Sequence, residues 1–142
     1  MPDKLRPFHL AIPVNNIVDT RCFYVDILGC KVGREAERWI DFSFFGHQLS
    51  AHVGPDEIRQ VQTNIVDGEQ IPVRHFGIIM AWADWQAFIE RLNRIGVNYL
   101  IKPTVRFNNQ AGEQYTLFIT DPSGNALEFK SFRNDASLFA TD

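Results

Sequence analysis

Three side chains of the types that hold divalent metal ions stand inside short apolar runs of this 142-residue chain. They are His9 in PFHLAIPV, His75 in VRHFGIIMA and Glu128 in GNALEFK. A neutral imidazole and an ionised carboxylate are good donors to such an ion, which acts as a Lewis acid toward substrate oxygens. A further histidine, His52 in QLSAHV, is of the side-chain type suited to moving protons beside a bound substrate. Each of these residues could equally be an ordinary hydrogen-bonded strand residue, and periodicity by itself leaves both readings open.

What favours a site is the faces these residues occupy. Side chains alternate along a strand with period two. His9 shares a face with Ala11 and Pro13, opposite Phe8, Leu10, Ile12 and Val14. His75 shares a face with Gly77 and Ile79, and Glu128 with Ala126 and Lys130, opposite Leu127 and Phe129. The apolar faces read as core, so two histidines and a carboxylate project the other way among small neighbours. Trp39 and Asp41 share a face of a neighbouring strand, where an indole could stack on a planar substrate. Tyr115 faces the same way as Leu117 and Ile119, which points to packing. His47 reads as a turn residue facing away from these groups.

The elements that must position these residues come in two similar sets. The first is strand Phe8–Val14, a helix within NNIVDTRCFYVDILG ending at Gly29, and strands over 31–34, 38–45 and 48–53. The second is strand VRHFGIIMA, helix DWQAFIERLNRIG with Asp84 placed to cap it, and strands near 98–102, 115–120 and 126–130. Trp85, Phe88, Ile89 and Leu92 form that helix's apolar stripe. Laid over each other, His9 falls on His75, Gly29 on Gly96 and Gly46 on Gly124. The expectation is an α+β fold of two βαβββ modules. Module 1 spans 7–56, a polar connection 57–73, module 2 74–132 and a tail 133–142, all in a single domain. The segment RFNNQAGEQY, 106–115, reads as a polar rim loop, and its Arg106 could meet an anionic substrate group.

The stretches HLAIPV, FYVDILG, HFGII and above all TDPSGNALEF resemble the vicinal-oxygen-chelate superfamily. Its members include glyoxalase I, bleomycin and fosfomycin resistance proteins, methylmalonyl-CoA epimerase and the ring-cleaving extradiol dioxygenases. The likeness runs from Phe8 to Phe132 and is greatest toward small chains described as extradiol-dioxygenase-like. It implies a curved mixed sheet forming a cup around a divalent ion, with His9, His75 and Glu128 as protein ligands. A fourth ligand used by glyoxalase-like and epimerase-like members falls here on Ser50, a poor donor. Two His and one Glu with open positions suit ferrous iron, with Zn, Ni or Mn as other ions. The function implied is a dioxygenase acting on a small catechol-like substrate. The alternatives are a lyase or isomerase of glyoxalase or epimerase type, with His52 or Gln48 as fourth ligand, and a bleomycin-resistance-type binding protein. Ring-cleaving members carry a tyrosine four residues before the last-turn proline and a histidine upstream of it, where this chain has Phe118 and Asn109. His52 and Tyr115 are therefore the expected catalytic substitutes, with Trp39 and Arg106 binding substrate. The resemblance also implies a homodimer.

Composition is compatible with these readings. The chain is 45% hydrophobic with twelve Phe and three Trp, enough for a sizeable core. Lys plus Arg number 14 against 17 acidic residues, a formal charge of -3, so the basic field needed to hold nucleic acid is missing. No run approaches the roughly 18 apolar residues of a membrane helix. A small-molecule partner and a cytoplasmic location are expected, with Cys22 and Cys30 as free buried thiols.

Overall fold

The computed structural model describes residues 4–141. Among the described residues ten strands and two principal helices follow one another in an α+β order that repeats βαβββ. The chain divides into two compact units, Met1–Arg59 with Asp121–Gly124, and Gln60–Thr120 with Asn125–Asp142.

In the first unit β1 (His9–Val14), β2 (Lys31–Glu35), β3 (Trp39–Phe44) and β4 (His47–Val53) make a mixed sheet of order β1-β4-β3-β2. β1 runs parallel to β4, and the other neighbours are antiparallel. One sheet face is buried, with Val14, Ile40, Phe42, Leu49 and Ala51 all at or below 1% exposure. Phe8 departs from the expected pattern at 65% exposure, because the strand begins only at His9 and leaves Phe8 outside it. Helix α1 (Ile17–Arg21) is capped by Asn16, whose Oδ1 accepts the Asp19 amide, and it runs directly into a π-helical segment, Cys22–Ile27. The wider π turn sends Phe23 and Tyr24 inward and leaves Cys22 on the outside. The expectation of two buried thiols therefore holds for Cys30 alone.

The second unit repeats the arrangement. β7 (Phe76–Ile79), β8 (Ile101–Arg106), β9 (Gln114–Thr120) and β10 (Ala126–Ser131) form a sheet of order β7-β10-β9-β8, with β7 parallel to β10. Helix α2 (Trp82–Ile95) buries Trp85, Phe88 and Leu92 on one sheet face. Each such burial is worth about 1.5–3 kcal/mol. The Trp85 indole N–H donates to the Phe129 carbonyl at 2.8 Å and fixes the helix on β10. Asp84 is not the cap, since the helix begins at Trp82 with Ala81 before it; Asp84 sits in the first turn, where its charge suits the helix dipole.

The connection, read from sequence only as polar, folds into a hairpin of β5 (Thr63–Val66) and β6 (Glu69–Pro72). Asp67 and Gly68 turn it with φ of 48° and 81°, the type I′ geometry that suits strand twist. Among the described residues no helix is long and apolar enough to cross a membrane.

Candidate functional site

The two buried faces are the two core faces, so the polar strand residues lie on the opposite side of each sheet, as the alternation required. In the second unit Glu128 on β10 stands opposite Gly77 on β7 and Phe118 on β9. A Cβ at Gly77 would come within 1.5 Å of the Glu128 carbonyl oxygen, so only glycine lets β7 lie this close to β10. That approach brings the His75 ring, just before β7, to Glu128, with Nε2 3.7 Å from Oε1. The Nδ1 of His75 lies 2.7 Å from the Pro72 carbonyl. A carbonyl only accepts, so the neutral ring carries its proton on Nδ1 and turns an unprotonated Nε2 toward Glu128.

The carboxylate is held as firmly. Its Oε2 accepts the Thr116 hydroxyl at 2.8 Å, while Oε1 faces the Lys130 ammonium at 3.5 Å as well as His75. Thr116 is fully buried and Glu128 shows only 11% of its side chain. A gap of 3.7 Å is too long for a hydrogen bond. Two donors each about 2.0–2.2 Å from one ion stand roughly 3–4 Å apart, so the pair has the spacing of two donors to a shared ion. A histidine held through Nδ1–H by a carbonyl and a carboxylate held by a hydroxyl is the usual outer support of metal ligands. His75 and Glu128 thus fit the ion that the fold family implies, as two of its donors. Among the described residues no group of three or more His, Cys, Asp or Glu side chains is gathered around one point. His9 belongs to the first unit and is exposed on β1.

Phe118 lies fully buried beside this pair, its ring meeting His75 edge-on at 5.0 Å. Tyr115 is on the other face of β9, packed on Trp82 at 4.7 Å and Trp85 at 6.1 Å, with its hydroxyl 3.5 Å from Glu113. Arg106 ends β8 opposite Gln114, on the Thr116 side, and is 3% exposed rather than part of a rim loop.

In the first unit the register aligns His9 with Gln48 and Ser43, Ser50 with Ala11 and Asp41, and His52 with Pro13 and Trp39. β4 pairs without a bulge on either side, so His52 stays two residues beyond the Ser50 position. The Ser50 hydroxyl donates to Asp41 Oδ1 at 2.6 Å, which puts a carboxylate beside the slot that the repeat assigns to Ser50. Trp39 is half-buried, with the Arg34 guanidinium 5.6 Å over its ring. His47 opens β4, and its Nδ1 accepts the Phe8 amide at 2.8 Å.

Sequence reasoning passed over two of these groups. Thr116 differs from Tyr115 by one step of alternation, and setting β9 against β10 would have exposed it. The Asp41–Ser50 pair needed the β3–β4 register.

Comparison with known proteins follows the geometry. Residues 6–129 match the family model described as Glyoxalase/Bleomycin resistance protein/Dioxygenase superfamily. A glyoxalase/bleomycin resistance protein/dioxygenase from Alicyclobacillus acidocaldarius is 32% identical, with 94% of this chain and 96% of that one covered and a TM-score of 0.82. The fold is also that of lactoylglutathione lyase from Agrobacterium tumefaciens, at 16% identity, 93% and 96% coverage and TM-score 0.63. FosX, the genomically encoded fosfomycin resistance protein of Listeria monocytogenes, is 15% identical, with 98% and 100% coverage and TM-score 0.62. No curated protein sequence matches the chain.

Proposed function

The chain belongs to the glyoxalase/bleomycin resistance protein/dioxygenase superfamily, and from that premise we propose that it is a divalent-metal enzyme acting on a small substrate with two adjacent oxygens. The observation that carries this reading is the His75–Glu128 pair, with its tautomer fixed by Pro72 and its carboxylate fixed by Thr116. His75 and Glu128 would hold the ion, and His9 is assigned as a further donor on the family resemblance alone. The ion supplies Lewis acidity toward the substrate oxygens and, as ferrous iron, the redox capacity that ring cleavage of a catechol requires.

Around the ion the chain's own groups divide the remaining tasks. Phe118 walls the site and excludes water, but it cannot donate a proton. Tyr115 packs half-buried against α2 on the other face of β9, so the proton-transfer role is assigned to His52, and the holding of a planar ring to Trp39, its partner in the β3–β4 register. Lys130 offers a positive charge next to the carboxylate. A second reading, a lyase or isomerase of glyoxalase type, draws on Asp41, whose carboxylate beside Ser50 could serve as base or fourth donor.

The test is anaerobic calorimetry with ferrous and cobaltous ions on metal-free wild type, His9→Ala, His75→Ala and Glu128→Ala, followed by oxygen uptake with a catechol panel. Wild type is expected to bind one ion per site, with a loss of tenfold or more in each variant. Ring cleavage should require ferrous iron and His75. Failure to bind any divalent ion would end the metal-enzyme reading. Binding without oxygen uptake would pass the site to the second reading, tested with hemithioacetals.

A further inference from the structure

Arg106 keeps its guanidinium buried with its hydrogen bonding incomplete. At 3% exposure its Nη1 reaches only the Val66 carbonyl of the β5–β6 hairpin, a long bond of 3.3 Å, and its Nη2 has no acceptor among the described residues. No ion pair to it forms among those residues. The hairpin's own carboxylate, Asp67, instead takes the Phe107 amide at 2.9 Å. A guanidinium stays charged throughout the accessible pH range, and a buried charge without a counter-ion is rare because it is costly.

The place of this charge says what it would receive. The pairings Arg106 with Gln114, Thr104 with Thr116 and Glu128 with Phe118 put Arg106 on the face that carries Glu128 and Thr116. Its Cζ lies 5.8 Å over the Phe118 ring, the same ring that His75 meets at 5.0 Å. One aromatic side chain therefore touches both the metal-donor pair and the unpaired guanidinium. A substrate group that reaches past that apolar ring from His75 and Glu128 would meet Arg106. A planar carboxylate fits the guanidinium fork with two parallel hydrogen bonds, and Nη2 stands without an acceptor to receive one of them.

We propose that Arg106 is the receptor for a carboxylate on the substrate, so that this site selects small planar monoanions over neutral molecules of the same shape. The inference rests on the proposed function only in placing that carboxylate on the substrate of the metal site; the anion receptor itself needs no metal. The test therefore uses metal-free protein. Benzoate and its neutral isostere benzamide are titrated by calorimetry into wild type, Arg106→Gln, Arg106→Lys and His75→Ala. Benzoate is expected to bind wild type at least roughly tenfold more tightly than benzamide, as a charge-assisted hydrogen bond implies. His75→Ala should retain that preference, Arg106→Lys should keep only part of it, and Arg106→Gln should lose it.

Equal binding of the two probes by wild type would overturn the proposal, as would a preference that survives in Arg106→Gln. Should the glutamine variant fail to fold, the side-chain guanidinium resonance of Arg106 in isotope-labelled wild type decides. It should shift with benzoate and not with benzamide, and an unmoved resonance overturns the proposal. A site that binds metal but shows no anion preference refutes this inference alone. Anion preference without metal binding refutes the metal-enzyme reading alone.

Discussion

Gly77→Ala should damage the site without touching a single functional side chain. The added Cβ would lie 1.5 Å from the Glu128 carbonyl oxygen. A carbon approaches such an oxygen no closer than about 3.3 Å, so β7 must retreat from β10 by roughly 1.8 Å. A backbone hydrogen bond stretched by that amount is lost, and four residue pairs join these strands. Losing about two to three ladder bonds at roughly 1 kcal/mol each gives about 2–3 kcal/mol, within the range for overpacking. The same retreat carries His75 away from Glu128, and displacements of about 1 Å cost on the order of 100-fold in positioned chemistry. Urea unfolding and cobalt titration of the folded variant measure the two effects. A variant that unfolds within 0.5 kcal/mol of wild type (roughly the noise of a surface substitution) and binds cobalt as tightly would refute the claim that this close approach builds the donor pair.

Thr116→Val removes the hydroxyl that orients Glu128 and should weaken divalent-ion binding by about 10–100-fold; unchanged affinity by calorimetry would leave Thr116 no part in the site. Tyr24→Phe deletes the buried hydrogen bond to Asp121 at 2.9 Å and should cost about 1.5–3 kcal/mol in urea unfolding, a loss under 0.5 kcal/mol counting against it. Burial first, then the Asp121 charge, raises the Tyr24 pKa well above 10.0. The stability linked to it is thus whole below pH 10 and lost as pH climbs through the folded value, so the tyrosinate absorbance of Tyr24 should appear only with alkaline unfolding. Burial also pushes the Cys30 thiol up to about 11, and the exposed Cys22 should react with iodoacetamide in the native protein while Cys30 waits for denaturant; equal labelling rates would contradict the burial.

How far the sequence could be read depended on whether a feature is periodic or depends on register. The alternation HLAIPV and ALEFK assigns His9 and Glu128 to the polar faces because period two survives any small error in strand ends. The outward Phe8 shows the limit of that rule, since alternation does not say where a strand begins. The β5–β6 hairpin had a legible signal, Asp67-Gly68, but its polar, weakly alternating flanks concealed the strands. The outward turn of Cys22 comes from a π-helical segment that 3.6-residue spacing cannot anticipate. The burial of Arg106 depends on a register shift between Ile101 and Thr104 that extends β8 past the expected end of its strand. Asp41 and Ser50, nine positions apart, meet only once β3 and β4 are aligned.

The turn Asp121–Gly124 bears on how this chain matures during translation. It connects two strands of the second unit yet belongs to the first. Its Asp121 accepts the Tyr24 hydroxyl across 97 residues of sequence, and its Ser123 accepts the Asn15 amide across 108. The ribosome delivers the strands of the first module before those of the second, but the buried partner of Tyr24 arrives only after β5 to β9 have followed. Until then that hydroxyl must find water, and the first unit cannot close its core. Closing so long a loop adds little entropy cost beyond a shorter one, but it slows the search. A fragment ending at Arg59 should therefore behave as an open, protease-sensitive intermediate, and the stability of the first unit depends on residues made well after its own strands.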